Sequence, residues 1–210
     1  MNKQRIQTRT IAGVAILTAV VIILQLLGQF VRFGPFSVSL VLVPIVVGAA
    51  LYGIWAGAWL GFVFGMVVLF QPDTGAFLTV NPLATIAVVL LKGTLAGLCS
   101  GLVYKALAKV DMQILFTYKG KEKWGAELAV LAAAIVCPLV NTGIFLLGCW
   151  LFFIPTISEW AATAHMENVW TFIIVGMVGA NFLFEVLFNF ILSPVIVRLI
   201  KIGRHHEQHS

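Results

Sequence analysis

Charge is what this chain has least of. Only 10% of its 210 residues are charged and 61% are hydrophobic; a soluble domain carries about 25% charged residues and 45–50% apolar ones. That shortage excludes an ordinary soluble fold. Cysteine is nearly absent too: Cys99, Cys137 and Cys149 all sit inside apolar runs, with neither metal-ligand spacing nor a disulfide framework. They are expected to be small core residues. The net charge of +5 does not point to nucleic acid, because the basic residues flank apolar runs and form no patch. Enzyme signatures are missing as well. There is no H-E-x-x-H, no G-x-S-x-G and no His within an apolar run. No catalytic residue, cofactor or metal is therefore expected, and no P-loop G-x-x-x-x-G-K-[ST] provides for ATP.

What is present in quantity is long apolar runs, several near the ~20 residues a helix needs to cross a bilayer. They do not alternate polar and apolar as barrel strands would. The expectation is an all-α membrane protein: six transmembrane helices in a compact bundle, both termini cytoplasmic. The spans are placed at about Ile11–Phe30, Phe36–Tyr52, Ile54–Phe70, Leu83–Tyr104, Trp124–Phe152 and Val169–Ile200. Residues 1–10 form a cytoplasmic N-terminal segment, 11–202 the membrane domain and 203–210 a cytoplasmic tail, whose three histidines are at best an adventitious metal site. The first span is longer than a signal-peptide core and is expected to stay as an anchor.

Charge sets the orientation. With the N-terminus inside, Lys3, Arg5, Arg9, Lys105, Lys109, Lys119, Lys121, Lys123, Arg198, Lys201 and Arg204 fall on the inner side. Only Arg32 falls outside, with Asp73, Glu159 and Glu167. That asymmetry is the positive-inside pattern. The outer segments 31–35, 71–82 and 153–168 hold Pro, Gly or polar residues. In the last, Thr156 and Glu159 have capping-box spacing, and a short surface helix is expected to follow. Trp160 and Trp170 suit an interface.

Small residues recur at helical spacing. Gly53, Gly57, Gly61 and Gly65 lie every four residues in the third span; Gly93, Gly97 and Gly101 do so in the fourth. Such faces let backbones approach closely, where dispersion holds them. Internal packing is the first reading, and a surface for another membrane protein the second. Ala15 and Ala19 make an A-x-x-x-A unit in the first span, weak by itself.

Polar residues inside spans are costly and usually face inward. Asn181, Glu185 and Asn189 follow one another at intervals of four, on one stripe of the sixth span. Asn141 and Thr142 follow Pro138, where a kink is expected. Lys92 stands in the fourth span, about 9 residues or roughly 14 Å from an end, too deep to snorkel easily. Two readings remain open. Lys92 and Glu185 form a buried pair that fixes packing, or Lys92 is one wall of a wet cavity and meets an anionic solute there.

At this point the chain resembles the substrate-binding S components of energy-coupling factor (ECF) vitamin transporters. The resemblance runs from about Ile11 to Ile200. It is carried by AILTA in the first span, SLVLVPIVVGAALYGIWAGAWLGFVFG across the next two, NPLATIAVVLLKGTLAGLCSGLVYKAL, CPLVNTGIF and NFLFEVLFNFILSPVIVRLIKI. It implies a high-affinity binding subunit for a small water-soluble vitamin, in a cavity near the outer side closed by the first and third loops. It also implies docking on an ECF transmembrane scaffold subunit carrying two cytoplasmic ATPase subunits, with Ala15 and Ala19 as the scaffold contact. The cell membrane, crossed several times, is the implied location. Lys92, Asn141, Thr142, Asn181, Glu185 and Asn81 are the expected substrate-binding residues. Pantothenate, which has a carboxylate, is favoured slightly over riboflavin, although Phe77, Phe145, Trp150 and Phe153 would stack on a flat ring. The alternatives are a stand-alone proton-coupled secondary transporter using Glu185, against which the lack of an inverted repeat counts, and a membrane enzyme or scaffold.

Overall fold

The computed structural model describes residues 3–30, 32–33, 36–37, 39–109, 122–166 and 168–208. Segment 110–121, expected to be a basic inner loop, Glu167 and the side chains of the tail histidines lie outside the described residues.

The architecture is helical. Helix α1 runs Lys3–Gly28, α2 Leu42–Tyr52, α3 Ile54–Leu69, α4 Pro72–Val80, α5 Pro82–Lys109 and α6 Glu122–Gly148. After α6 come a π-helical stretch at Cys149–Phe153, helix α7 at Ile154–Thr163 and a short turn α8 at Val169–Thr171. A second π-helical stretch, Phe172–Gly179, leads into α9, Ala180–Gln208. A minimal hairpin pairs β1 (Arg32–Phe33) with β2 (Phe36–Ser37), Phe33 opposite Phe36.

Four helical stretches are long and apolar enough to span a bilayer: Gln7–Gly28, Pro82–Ala108, Leu128–Thr163 and Val169–Ile200. Helices α3 and α4, bent by 79° at their junction, make a fifth if taken as one broken span. The chain is thus a multi-pass, all-α membrane protein. The second span departs from expectation. Its helix begins only at Leu42 and has 11 residues, about 16 Å and half a hydrocarbon core. Pro44 sits in its first turn, where backbone N–H groups have no intrahelical acceptor anyway. The residues before it take the hairpin instead. Segment 71–82, expected as an outer connection, is likewise mostly helix, α4, opened by Pro72.

The glycine faces pack against each other inside the bundle. A Cβ on Gly57 would lie 2.7 Å from Gly97 O, and one on Gly65 2.8 Å from Val89 O. Gly61 and Gly93 approach each other still more closely. Backbone meets backbone along α3 and α5, as the internal-packing reading expects. Gly53 has a separate task. At φ 96° it ends α2, donating its N–H to Ala49 O, and starts α3 at once. The core lies around α2, whose Leu42, Ile45 and Val46 are fully buried with Leu60, Phe64 and Ala96.

Helix α6 continues through Pro138. The capping box does not form. Pro155 lies in the first turn of α7, so the helix starts before Thr156 and has no side-chain cap. Trp160 is half-buried and packs on Phe77.

Candidate functional site

The polar residues of the apolar spans converge on one cavity. Helix α5 lends it Thr85, Val88, Val89 and Lys92; α6 lends Asn141, Thr142 and Phe145; α9 lends Asn181, Phe182 and Glu185. The end nearer α4 is walled by Gln25, Ser39, Gln71, Asp73, Thr74 and Phe77, and the two π-helical stretches add Cys149, Phe153, Met177 and Val178. About 100 Å³ is open to the centre of a water-sized molecule. That is several times the roughly 10–15 Å³ one water needs on this measure, so the space suits more than a single trapped water.

The surroundings of Lys92 bear on the first of its two readings. Its Nζ lies 5.4 Å from the ring centre of Phe145 and 5.7 Å from that of Phe64. Among the described residues it forms no hydrogen bond and no ion pair. The buried Lys92–Glu185 pair is therefore not made. The two rings present their negative faces to the ammonium, and Lys92 is part of the cavity lining.

Glu185 is occupied elsewhere. Its Oε1 accepts a hydrogen bond from Ser39 N at 3.0 Å. Ser39 belongs to the non-helical stretch that precedes α2, and such backbone at membrane depth must be satisfied by protein or water. Glu185 thus does for the broken second span what an intrahelical carbonyl does elsewhere. The stripe continues to Asn189, whose Nδ2 donates to Glu185 O at 2.9 Å. Asn189 is buried but lies outside the cavity lining.

Asn141 is 5% exposed, and its Oδ1 has no hydrogen-bond partner among the described residues. A buried acceptor without a donor costs about 1–3 kcal/mol, a cost that a ligand or ordered water in the cavity would relieve. Thr142 and Asn181 lie on the same wall. Asn81 does not join them. Its Oδ1 accepts from Ala84 N at 3.1 Å, capping α5, and the residue is absent from the lining. A polar residue just before a helical proline is well placed to cap, and the structure uses it so.

Of the four aromatic residues named from the sequence, Phe77, Phe145 and Phe153 line the cavity. Phe77 meets Phe145, Phe153 and Trp160 edge to face, at 5.9, 5.1 and 5.3 Å between centres. Trp150 is 55% exposed and faces away.

Sequence reasoning overlooked Gln25 and Gln71. Both are buried in the cavity wall and bonded to each other: Gln25 Nε2 donates to Gln71 Oε1 at 3.0 Å, and Gln71 Nε2 donates to Gln25 O at 3.1 Å. Gln25 stands near the end of its span and Gln71 in a connecting segment, where polar residues are ordinary. Only the four-residue continuity of Val21 and Gln25 on the buried face of α1 marks Gln25 as inward. Ala15 and Ala19 lie on the opposite, exposed face, with Ile16 and Ile23.

This arrangement can hold a small molecule with an anionic group, by the Lys92 ammonium, several amides and an aromatic wall. The family model for the ECF transporter, substrate-specific component, matches residues 9–197. The chain belongs to that family. Its members are transporter components rather than enzymes, in accord with the missing catalytic signatures. The chain is 28% identical over 209 residues to the pantothenic acid transporter PanT of Lactococcus lactis subsp. cremoris (strain MG1363), covering 94% of this chain and 96% of that protein. No solved structure matches.

Proposed function

We propose that this S component binds pantothenate, or a closely similar small carboxylate, in the Lys92 cavity and presents it for ATP-driven uptake. The observation that carries the reading is Lys92: a cation within an apolar span, in a cavity wall, that makes no ion pair among the described residues although Glu185 and Asp73 line the same cavity. An unpaired charge there is expensive; a ligand carboxylate would pair it. The relative's name points to the same chemistry. Asn141, Thr142 and Asn181 would bind the ligand's other polar groups, and the orphaned Asn141 acceptor favours a ligand with donors. Glu185 would stay with Ser39 and shape the pocket from behind.

Both termini would lie in the cytoplasm of a cell-membrane protein of six membrane-inserted segments, as the inner excess of Lys and Arg demands. Ala15 and Ala19 would face the ECF scaffold subunit, which carries two ATPase subunits. The exposed, small-residue side of α1 supports that assignment. A proton-coupled carrier working through Glu185 is disfavoured, because that carboxylate already has a structural hydrogen bond.

The test is mass spectrometry of small molecules released from freshly purified protein, followed by calorimetric titration of emptied protein. Released pantothenate and one-to-one rebinding support the reading. A protein that releases nothing and whose melting temperature no candidate vitamin raises would overturn it.

A further inference from the structure

The cavity holds a second polar group besides Lys92, the amides of Gln25 and Gln71. The glycine faces bring Gly61 level with Gly93, hence close to Lys92. Gln71 follows Gly61 by ten residues of mostly helical chain, about 15 Å along the bundle. Gln25 is tied to Gln71 by two hydrogen bonds, so the pair sits at the α4 end of the cavity.

Gln71 has both ends of its amide engaged, and Gln25 uses its Nε2. What remains is Gln25 Oε1. It belongs to a side chain 1% exposed, in the cavity wall, and has no hydrogen-bond partner among the described residues. The bond from Gln25 Nε2 to Gln71 Oε1 orients the Gln25 amide, and the bond from Gln71 Nε2 to the Gln25 carbonyl anchors Gln71 in turn. An acceptor fixed in a wall and left without a donor awaits one.

We infer that Gln25 Oε1 accepts a hydrogen bond from a hydroxyl of the ligand, at the end opposite its carboxylate, and so selects a hydroxylated acid over a plain one. The inference rests on the pantothenate reading above, since pantothenate carries its carboxylate at one end and two hydroxyls toward the other. Gln71 acts as a positioning residue, fixing the direction of the Gln25 oxygen. A site built to bond a hydroxyl rejects the analogue that lacks it, because its buried acceptor then stays unpaired.

The experiment titrates two ligands into emptied full-length protein: pantothenate and N-(3,3-dimethylbutanoyl)-β-alanine. The second keeps the carboxylate, the amide and the branched carbon but has neither hydroxyl. Wild type is expected to prefer pantothenate by about 5- to 150-fold, the range of one unmade buried hydrogen bond. Gln25→Leu is expected to lose most of that preference, weakening pantothenate while the dihydroxy-free acid binds as before. Gln25→Met serves in its place should the leucine variant not purify. Equal loss of both ligands means that Gln25 only supports the fold, and overturns the inference. So does a wild type that binds both ligands equally, which leaves the pantothenate reading standing. A wild type that binds neither acid overturns the reading and the inference together.

Discussion

Replacing Lys92 by methionine separates the two tasks a buried lysine performs. The structure gives Lys92 two aromatic neighbours and, among the described residues, no ion pair, so the empty protein has no salt bridge to lose. The cation–π contacts are worth about 0.5–2 kcal/mol, and a methionine sulfur against the same rings returns about 0.3–1.5 kcal/mol. Desolvation of the ammonium, about 2.5–3.5 kcal/mol on insertion scales, disappears. The apo protein should therefore melt at the same temperature or higher. Had Lys92 been paired with Glu185, removing it would strand a buried carboxylate and cost about 3–5 kcal/mol. Ligand binding goes the other way. Truncating one partner of a buried, hydrogen-bonded charge pair costs about 2–5 kcal/mol, which is roughly 30-fold to several thousand-fold in Kd. Calorimetric titration and thermal melting of the same purified variant, in the same detergent, read both quantities. A Kd within threefold of wild type, or an apo protein destabilised by several kcal/mol, would refute the reasoning.

Glu185→Gln keeps an acceptor for Ser39 N, so pantothenate affinity should change less than about threefold; Glu185→Leu strands that N–H and should cost about 1–3 kcal/mol in thermal unfolding. Abolished binding in the glutamine variant would return Glu185 to the ligand. Gly97→Leu forces a side chain into the Gly57 backbone and should destabilise by about 1–3 kcal/mol or more, whereas Gly143→Ala, with nothing within 4 Å of the added methyl, should shift stability by no more than about 0.5 kcal/mol; melting curves compare them. Ala15→Leu together with Ala19→Leu should leave pantothenate titration unchanged but reduce uptake in cells that also express the scaffold and ATPases. Normal uptake by that double variant would place the docking face elsewhere.

The inward set was legible where polarity is costly. Lys92, Asn141, Asn181 and Glu185 stand out because each interrupts an apolar run, and helical spacing alone aligns Asn181 with Glu185. The glycine faces were legible for a similar reason: a four-residue repeat on each of two neighbouring spans has few uses but contact. The broken second span was not. From Phe36 to Tyr52 the chain stays almost wholly apolar, and hydropathy does not distinguish a helix from the extended backbone before Leu42. Pro44 held the clue, since a proline belongs in a helix's first turn. Nor was the task of Glu185 visible, because its partner is a backbone amide created by that break. Gln25 and Gln71 escaped notice because amides near span ends and in connections cost little, so their sequence context carries no signal. Asn81 misled for the converse reason: its polarity served a helix cap.

The most direct measurement sets pantothenate against pantothenol, the alcohol that lacks the carboxylate, on wild-type protein. One-to-one binding with the acid preferred at least about 30-fold, and that preference erased in the Lys92 variant, is the expected result. Equal affinity for acid and alcohol would mean that the ammonium in the cavity wall does not meet the ligand, and the account would fail.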